Sequence, residues 1–314
     1  MPKGRDMGRG SQMASPPSNV TDISKLIAAI KSDLIEAGIK DVPDRDWVDT
    51  GIPKLNRIIS GKKDLGLPIG TTIEISGDSQ TGKSYLMGYL MGMIQRNGGI
   101  VALADAENAF NKEYTERVHG VNSGAIMFIN SNVIEEIISI ISLTVKLRKK
   151  MIESGKVKYE DLPMMMFFID SFKMCISNRE VKAGEENYGG YGTARTMAFS
   201  QEYPKVNKRL SKYRIGAVWI NQLRTKFGSF MSTKESAGGD AMRYYPGIRL
   251  RMKNLGRITK VKNGVKKTIG RKVEIECIKT RHTNPYGKIR VEMHHNGGWK
   301  MIDFKEKVSG DSDE

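Results

Sequence analysis

The octapeptide Gly77-Asp78-Ser79-Gln80-Thr81-Gly82-Lys83-Ser84 constrains the fold more than any other feature of the chain. It fits the pattern G-x-x-x-x-G-K-[ST]. The apolar run from Thr71 to Ser76 ahead of it reads as a strand, and Lys83 to about Arg96 reads as a helix stopped by Gly98-Gly99. That strand–turn–helix setting is what the pattern requires. Glycines let the backbone close around phosphates, while loop N–H groups and the helix N-terminus supply positive potential. Gly77, Asp78, Ser79, Gln80, Thr81, Gly82, Lys83 and Ser84 are therefore candidate ATP-binding residues. Lys83 reaches the β- and γ-phosphates, and the Ser84 hydroxyl binds Mg²⁺.

A phosphate loop of this kind needs a parallel sheet behind it, and the chain supplies one. Ile100 to Ala104, Met164 to Ile169 and Ile215 to Ile220 read as further strands, with helices over Val133 to Glu153 and Ala194 to Tyr213. Continuous apolar strands between helices predict a parallel sheet covered on both faces. After residue 247 the pattern changes. Arg249 to Met252, Arg257 to Lys262, Val265 to Ile269, Val273 to Lys279 and Tyr286 to Met293 read as strands, and Asn263-Gly264 is a hairpin turn. The expected fold is an α/β P-loop core, mostly parallel, with antiparallel edge strands and a short N-terminal helix.

Two carboxylates complete the expected site. Asp170 ends the apolar run Met164 to Ile169, the Walker-B form, and would hold Mg²⁺ together with Ser84. Glu107 lies in Ala104-Asp105-Ala106-Glu107, just after the second strand, where a base can accept a proton from attacking water. Asp105 competes for that role.

Charge is the clue to partners. The net charge is +16, and from Arg249 to Arg290 there are 14 Lys/Arg against the two acids Glu274 and Glu276. Such a surplus favours a polyanion. The two cysteines, Cys175 and Cys277, lack a CxxC spacing, and the four histidines make no metal pattern. No apolar run approaches the roughly 20 residues of a membrane span. The N-terminus has no apolar signal core, so a cytoplasmic location is expected, the host cytoplasm if the chain is phage-encoded.

The order of motifs resembles the RecA-type recombinases, with the phage branch as a possible home. The resemblance rests on Gly66-Leu67-Pro68-Ile69-Gly70 before the phosphate loop and on Asp105-Ala106-Glu107. Further along, it rests on Ile169-Asp170-Ser171, Ile220-Asn221-Gln222-Leu223-Arg224, Gly238-Gly239-Asp240-Ala241-Met242-Arg243-Tyr244-Tyr245 and Ile278-Lys279-Thr280-Arg281. It covers roughly residues 45 to 300. It implies a DNA-dependent ATPase that forms helical filaments on single-stranded DNA and pairs that strand with a homologous duplex for recombination and repair. Glu107 then matches the catalytic carboxylate, with Lys83 and Gln222 beside it; Gln222 senses the γ-phosphate and signals to the loop after it. Tyr114 matches an aromatic that stacks on adenine. Lys279 and Arg281 match basic residues that reach a neighbour's ATP, although the family usually has lysine at both.

Two loops are the expected DNA contacts. The first, about Asn178 to Arg195, offers Arg179, Tyr188, Tyr191 and Arg195; the second, about Arg224 to Ala237, offers Arg224, Lys226, Phe227, Phe230 and Lys234. Interleaved basic and aromatic residues suit a single-strand groove. A ring helicase and an ATP-binding, DNA-coating accessory protein share the same nucleotide motifs and remain as alternatives. The expected organisation is a disordered basic arm (1–19), an oligomerisation helix and linker (20–44), the ATPase core (45–304) and an acidic tail (305–314). In the helix, Ile23, Leu26, Ile27, Ile30 and Leu34 share one face. The bacterial members' further C-terminal domain, which helps capture duplex DNA, is expected to be lacking, and the basic Arg249 to Arg290 region to substitute for it.

Overall fold

The computed structural model describes residues 46–183, 191–225, 234–262 and 264–302, together with Lys25 and Ser32, both helical. The chain divides into two units, Met1–Asp44 and Arg45–Glu314. The expected basic arm and acidic tail, and most of the N-terminal helix, lie outside the described residues.

In the second unit the strands are β1 (Trp47–Val48), β2 (Leu67–Pro68), β3 (Thr72–Gly77), β4 (Ile100–Asp105), β5 (Ile126–Phe128) and β6 (Met165–Asp170). They continue as β7 (Ile215–Thr225), β8 (Lys234–Ser236), β9 (Ile248–Lys262), β10 (Val265–Lys279), β11 (Gly287–His294) and β12 (Trp299–Ile302). The helices are α1 (Pro53–Ser60), α2 (Lys83–Arg96), α3 (Lys112–His119), α4 (Ile134–Glu153), α5 (Asn178–Ala183), α6 (Tyr191–Asn207) and α7 (Gly239–Tyr244). The main sheet runs β12-β11-β10-β9-β3-β7-β6-β4-β5, with β8 added to β7. From β9 to β5 the pairings are parallel, and from β9 to β12 they are antiparallel.

Both faces of the parallel part are covered, which explains its continuous apolar strands. Met166 and Phe168 of β6 join Leu86, Leu90 and Ile94 of α2 on one face. Their neighbours Met165, Phe167 and Ile169 point the other way, onto Ile137, Ile138 and Ile141 of α4 and Phe199 and Tyr203 of α6. On that second face Trp219 meets Phe199 edge to face at 5.1 Å, and Phe199 stacks on Tyr203 at 4.6 Å.

Three details differ from the sequence pattern. The helix expected over Ala194 to Tyr213 begins at Tyr191, carries Pro204 and ends at Asn207, and a 3-10 turn at Ser211–Tyr213 with Arg214 at φ 53° leads into β7. The paired short runs after residue 247 are one hairpin of two 15-residue strands, because register shifts absorb the irregular residues without breaking the ladder. Finally, two stretches within the segments expected to be loops have regular structure. Asn178–Ala183 is helical, and Leu223 to Thr225 pairs back on Lys234–Ser236.

One polar cluster sits inside the sheet. Glu74 of β3 is fully buried and pairs with Arg249 Nε of β9 at 2.5 Å. Asn221 Nδ2 of β7 donates to Glu74 Oε1 at 2.9 Å and to Ala237 O at 2.7 Å, and Arg249 Nη2 donates to Ser236 Oγ at 2.9 Å. Truncating one partner of a buried ion pair strands the other charge. Arg249→Met is therefore expected to lower unfolding stability by about 3–5 kcal/mol in denaturant titration, far more than removal of the exposed Lys149–Glu153 pair.

Candidate functional site

The sheet register brings the sequence-singled residues to one edge. Gly77 lies opposite Gln222, and Asp105 opposite Asp170, each at the carboxyl end of its parallel strand. In open α/β sheets ligands bind outside those ends, where the strand order reverses. Here β3 lies between β7 and β9 and not beside β4, which opens a crevice. A cleft of about 380 Å³ occupies it, lined among others by Ser79 to Ser84, Glu107, Tyr114, Asp170 and Gln222.

The cradle is a backbone structure that side chains would obstruct. Gly82, at φ 91°, stands at the N-terminus of α2, in the left-handed region glycine favours. A Cβ at Gly77 would come within 2.6 Å of Met252 O and of Thr81 Oγ1. Lys83 is 7% exposed, and its Nζ donates to Gly77 O at 3.1 Å and Asp78 O at 2.7 Å, spanning the loop. Burial lowers its pKa, against the pull of Asp170 and Glu107.

Ser84 Oγ donates to Asp170 Oδ2 at 2.8 Å. Burial pushes the Asp170 carboxyl up to about 6, opposed by the Ser84 hydrogen bond and reinforced by Glu107 and Asp105. A hydroxyl beside one carboxylate is a donor set of hard oxygens. It fits Mg²⁺, which keeps waters and substrate phosphates for its remaining positions. Among the described residues no cluster of three or more His, Cys, Asp or Glu could hold a metal by itself.

Glu107 lies across the cleft. Its Oε1 accepts from Ser171 Oγ at 2.6 Å and from Gln222 Nε2 at 3.4 Å. The peptide between Asp170 and Ser171 is cis. Asp105, the competing candidate, has its Oδ2 engaged by the Phe110 N–H at 2.8 Å. That contact ties Asp105 to the turn after β4, while Glu107 faces Ser171 and Gln222. Tyr114, on α3, is partly buried at the cleft wall, and burial raises its pKa.

Other expected residues fall elsewhere. Lys279 Nζ donates to Arg243 O at 2.7 Å and Tyr244 O at 2.9 Å, capping α7. Lys279 pairs with Arg249, three residues before the Met252 that faces Gly77. Neither Lys279 nor the exposed Arg281 lines the cleft of its own chain. Arg179 is exposed on α5. Tyr191, Arg224 and Lys234 are placed in α6, β7 and β8, while Tyr188, Lys226, Phe227 and Phe230 lie outside the described residues. Arg195 lies in α6. It is 7% exposed, and its guanidinium donates to the carbonyls of Lys173 and, at 2.8 Å, Cys175. These main-chain contacts tie α6 to the turn after β6.

Sequence reasoning missed Arg271, Met293 and His295, which strands β10 and β11 bring to the cleft, and Lys173, whose Nζ donates to Gln222 Oε1 at 2.8 Å. Position alone could have flagged Lys173, three residues beyond Asp170.

Residues 23–300 match the family model described as RecA N-terminal domain. The chain belongs to the RecA family. It is 29% identical over 224 residues to Protein RecA of Arthrobacter sp. (strain FB24), covering 70% of this chain and 57% of that protein. It is 28% identical over 234 residues to Protein RecA of Roseiflexus castenholzii, covering 74% and 60%. It is 30% identical over 235 residues to Protein RecA of Acidothermus cellulolyticus, covering 74% and 62%. The matches thus span about three fifths of the length of these RecA-family relatives.

The raised Asp170 pKa gives a prediction with a definite sign. An aspartate that titrates near 6 when folded and near 3.8 when unfolded costs stability as pH rises across that window. Asp170→Asn should therefore raise the melting temperature of the nucleotide-free protein above pH 6, by about 1–3 kcal/mol of stability. Below pH 4 the gain should vanish. The same variant should lose Mg²⁺-dependent nucleotide binding in titration calorimetry.

Proposed function

We propose that the protein is an ATP-dependent DNA strand-exchange protein, which assembles as a helical filament on single-stranded DNA and pairs that strand with a homologous duplex. The observation that carries the reading is the run of contacts at the cleft. Ser84–Asp170 and Lys83 stand on one side, and Glu107 touches Gln222 on the other, where β7 continues directly to Thr225 and the second loop. Nucleotide chemistry and the proposed DNA loop therefore share one strand.

In this reading Gly77 to Ser84 cradle the ATP phosphates, and Tyr114 packs on the adenine. Mg²⁺ held by Ser84 and Asp170 would offset charge on the phosphate oxygens. Glu107, oriented by Ser171, accepts the proton of the attacking water, and Gln222 carries the state of the γ-phosphate into the second loop. Lys279 and Arg281 lie off their own cleft, which supports a role at a neighbour's nucleotide, so that ATP binding and assembly are linked. Arg179, Tyr188, Tyr191, Arg224, Lys226, Phe227, Phe230 and Lys234 contact single-stranded DNA, and the unit before residue 45 docks on a neighbouring subunit. A cytoplasmic location fits this role; among the described residues no helix is long and apolar enough to cross a membrane.

The β9–β10 hairpin supports duplex capture. Beyond Met252, β9 pairs only with β10, and Arg257, Lys260, Lys266 and Lys267 are exposed there. Between Asp240 and Glu274 the chain has no acid. Replacing Lys260, Lys266 and Lys267 together by alanine should reduce the slope of log affinity for duplex DNA against log salt by up to about 3, with stability unchanged.

The decisive test of the reaction is strand transfer from a labelled duplex to a homologous single strand. We expect transfer that requires hydrolysable or non-hydrolysable ATP. ATP-independent annealing alone would overturn the proposal. Glu107→Gln should lower kcat for ATP by about 10²–10⁴-fold while nucleotide binding persists; unchanged turnover would remove Glu107 as the base.

A further inference from the structure

No role above uses the contact between Lys173 and Gln222. Lys173 sits in the 3-10 turn Phe172–Met174, directly after β6 and Ser171. Its ammonium is partly buried and donates to Gln222 Oε1 at 2.8 Å. Among the described residues no carboxylate lies within ion-pair distance of it. Its charge is close enough to Lys83 to weigh against that lysine's protonation. A second cation thus stands behind Gln222, outside the lining of the cleft, held by a neutral amide.

The chemistry of that amide gives the contact a direction. A glutamine side chain has an acceptor end and a donor end, and its neighbours decide which way it faces. An ammonium has only donors, so it selects Oε1. The Glu107 carboxylate has only acceptors, so it selects Nε2, which lies 3.4 Å away. Lys173 and Glu107 therefore agree on one orientation. In it the N–H₂ of Gln222 faces Glu107 at the cleft, and the carbonyl faces Lys173. The turn that carries Lys173 is itself pinned, because Arg195 donates to the carbonyls of Lys173 and Cys175 from the first turns of α6.

We infer that Lys173 is a positioning residue that aims the donor end of Gln222 at the nucleotide and so sets how strongly DNA on the second loop drives ATP hydrolysis. The inference rests on the function proposed above. Without Lys173 only the longer contact to Glu107, at 3.4 Å, favours this orientation, and a turned amide would present its carbonyl to phosphate oxygens of like partial charge. An acceptor at position 173 holds it in that wrong orientation.

The test is an ordered series, Lys173→Arg, Lys173→Met and Lys173→Glu, assayed for ATP turnover with and without poly(dT) and for melting temperature. The readout is the ratio of stimulated to unstimulated kcat. We expect arginine, also donor-only, to keep most of the ratio. Methionine should lower it by about fivefold or more, the range of a modest coupling energy, and glutamate should lower it furthest. Combined with Gln222→Ala, Lys173→Met should add nothing, because the lysine acts through the amide. A purely structural lysine would show neither the sign order nor the silence in the Gln222→Ala background. A stimulated wild type with an unaltered ratio in Lys173→Met overturns the inference alone. A wild type that DNA does not stimulate overturns the functional reading and this inference with it.

Discussion

Glu74 is a carboxylate at the centre of the sheet with no exposed surface, and the strands that carry the site depend on how it is neutralised. Arg249 reaches it from β9 and Asn221 from β7, so one buried charge joins three adjacent strands. The same two residues extend beyond the sheet core, Arg249 to Ser236 and Asn221 to Ala237, where the chain returns from the second loop. Asn221 Oδ1 also accepts the backbone N–H of Gln222 at 2.9 Å. A buried ion pair adds little stability over an apolar core. Here it places the phosphate-loop strand, the Gln222 strand and the ends of the second loop in one rigid frame.

That frame explains how a site assembled from four strands can be compact. Parallel strands end together, so residues far apart in the chain meet at their carboxyl ends. Ser84 follows β3, Asp170 ends β6, Glu107 follows β4 and Gln222 lies in β7. The helix dipole and glycine cradle supply positive potential at the same edge, where burial holds Lys83 down and Asp170 up. A carboxyl held well above its ordinary range by burial in a cleft is the kind of perturbed group that clusters at functional sites.

Much of this was legible in the sequence, and the reason is local. The phosphate loop needs only its own strand and helix around it, and α2 spans the residues read from the pattern, Lys83 to Arg96. The two-sided burial of β6 was legible because five apolar residues in a row suit no half-exposed strand. Long-range register was not legible. Arg271 and His295 reach the cleft because β10 and β11 continue the sheet beyond β9, which lies beside β3, and Lys173 meets Gln222 because β6 and β7 are neighbours. The surroundings of Arg195 were not legible for a related reason: only the packing of α6 against the turn after β6 reveals that its guanidinium donates to main-chain carbonyls there.

The central claim is that nucleotide at this cleft and single-stranded DNA at the adjoining loops act on one another through assembly. Electron microscopy of the purified protein, with and without both ATP analogue and single-stranded DNA, tests it most directly. The account predicts regular helical filaments when both ligands are present and short or irregular ones otherwise. Closed rings, or particles that ignore either ligand, would contradict it.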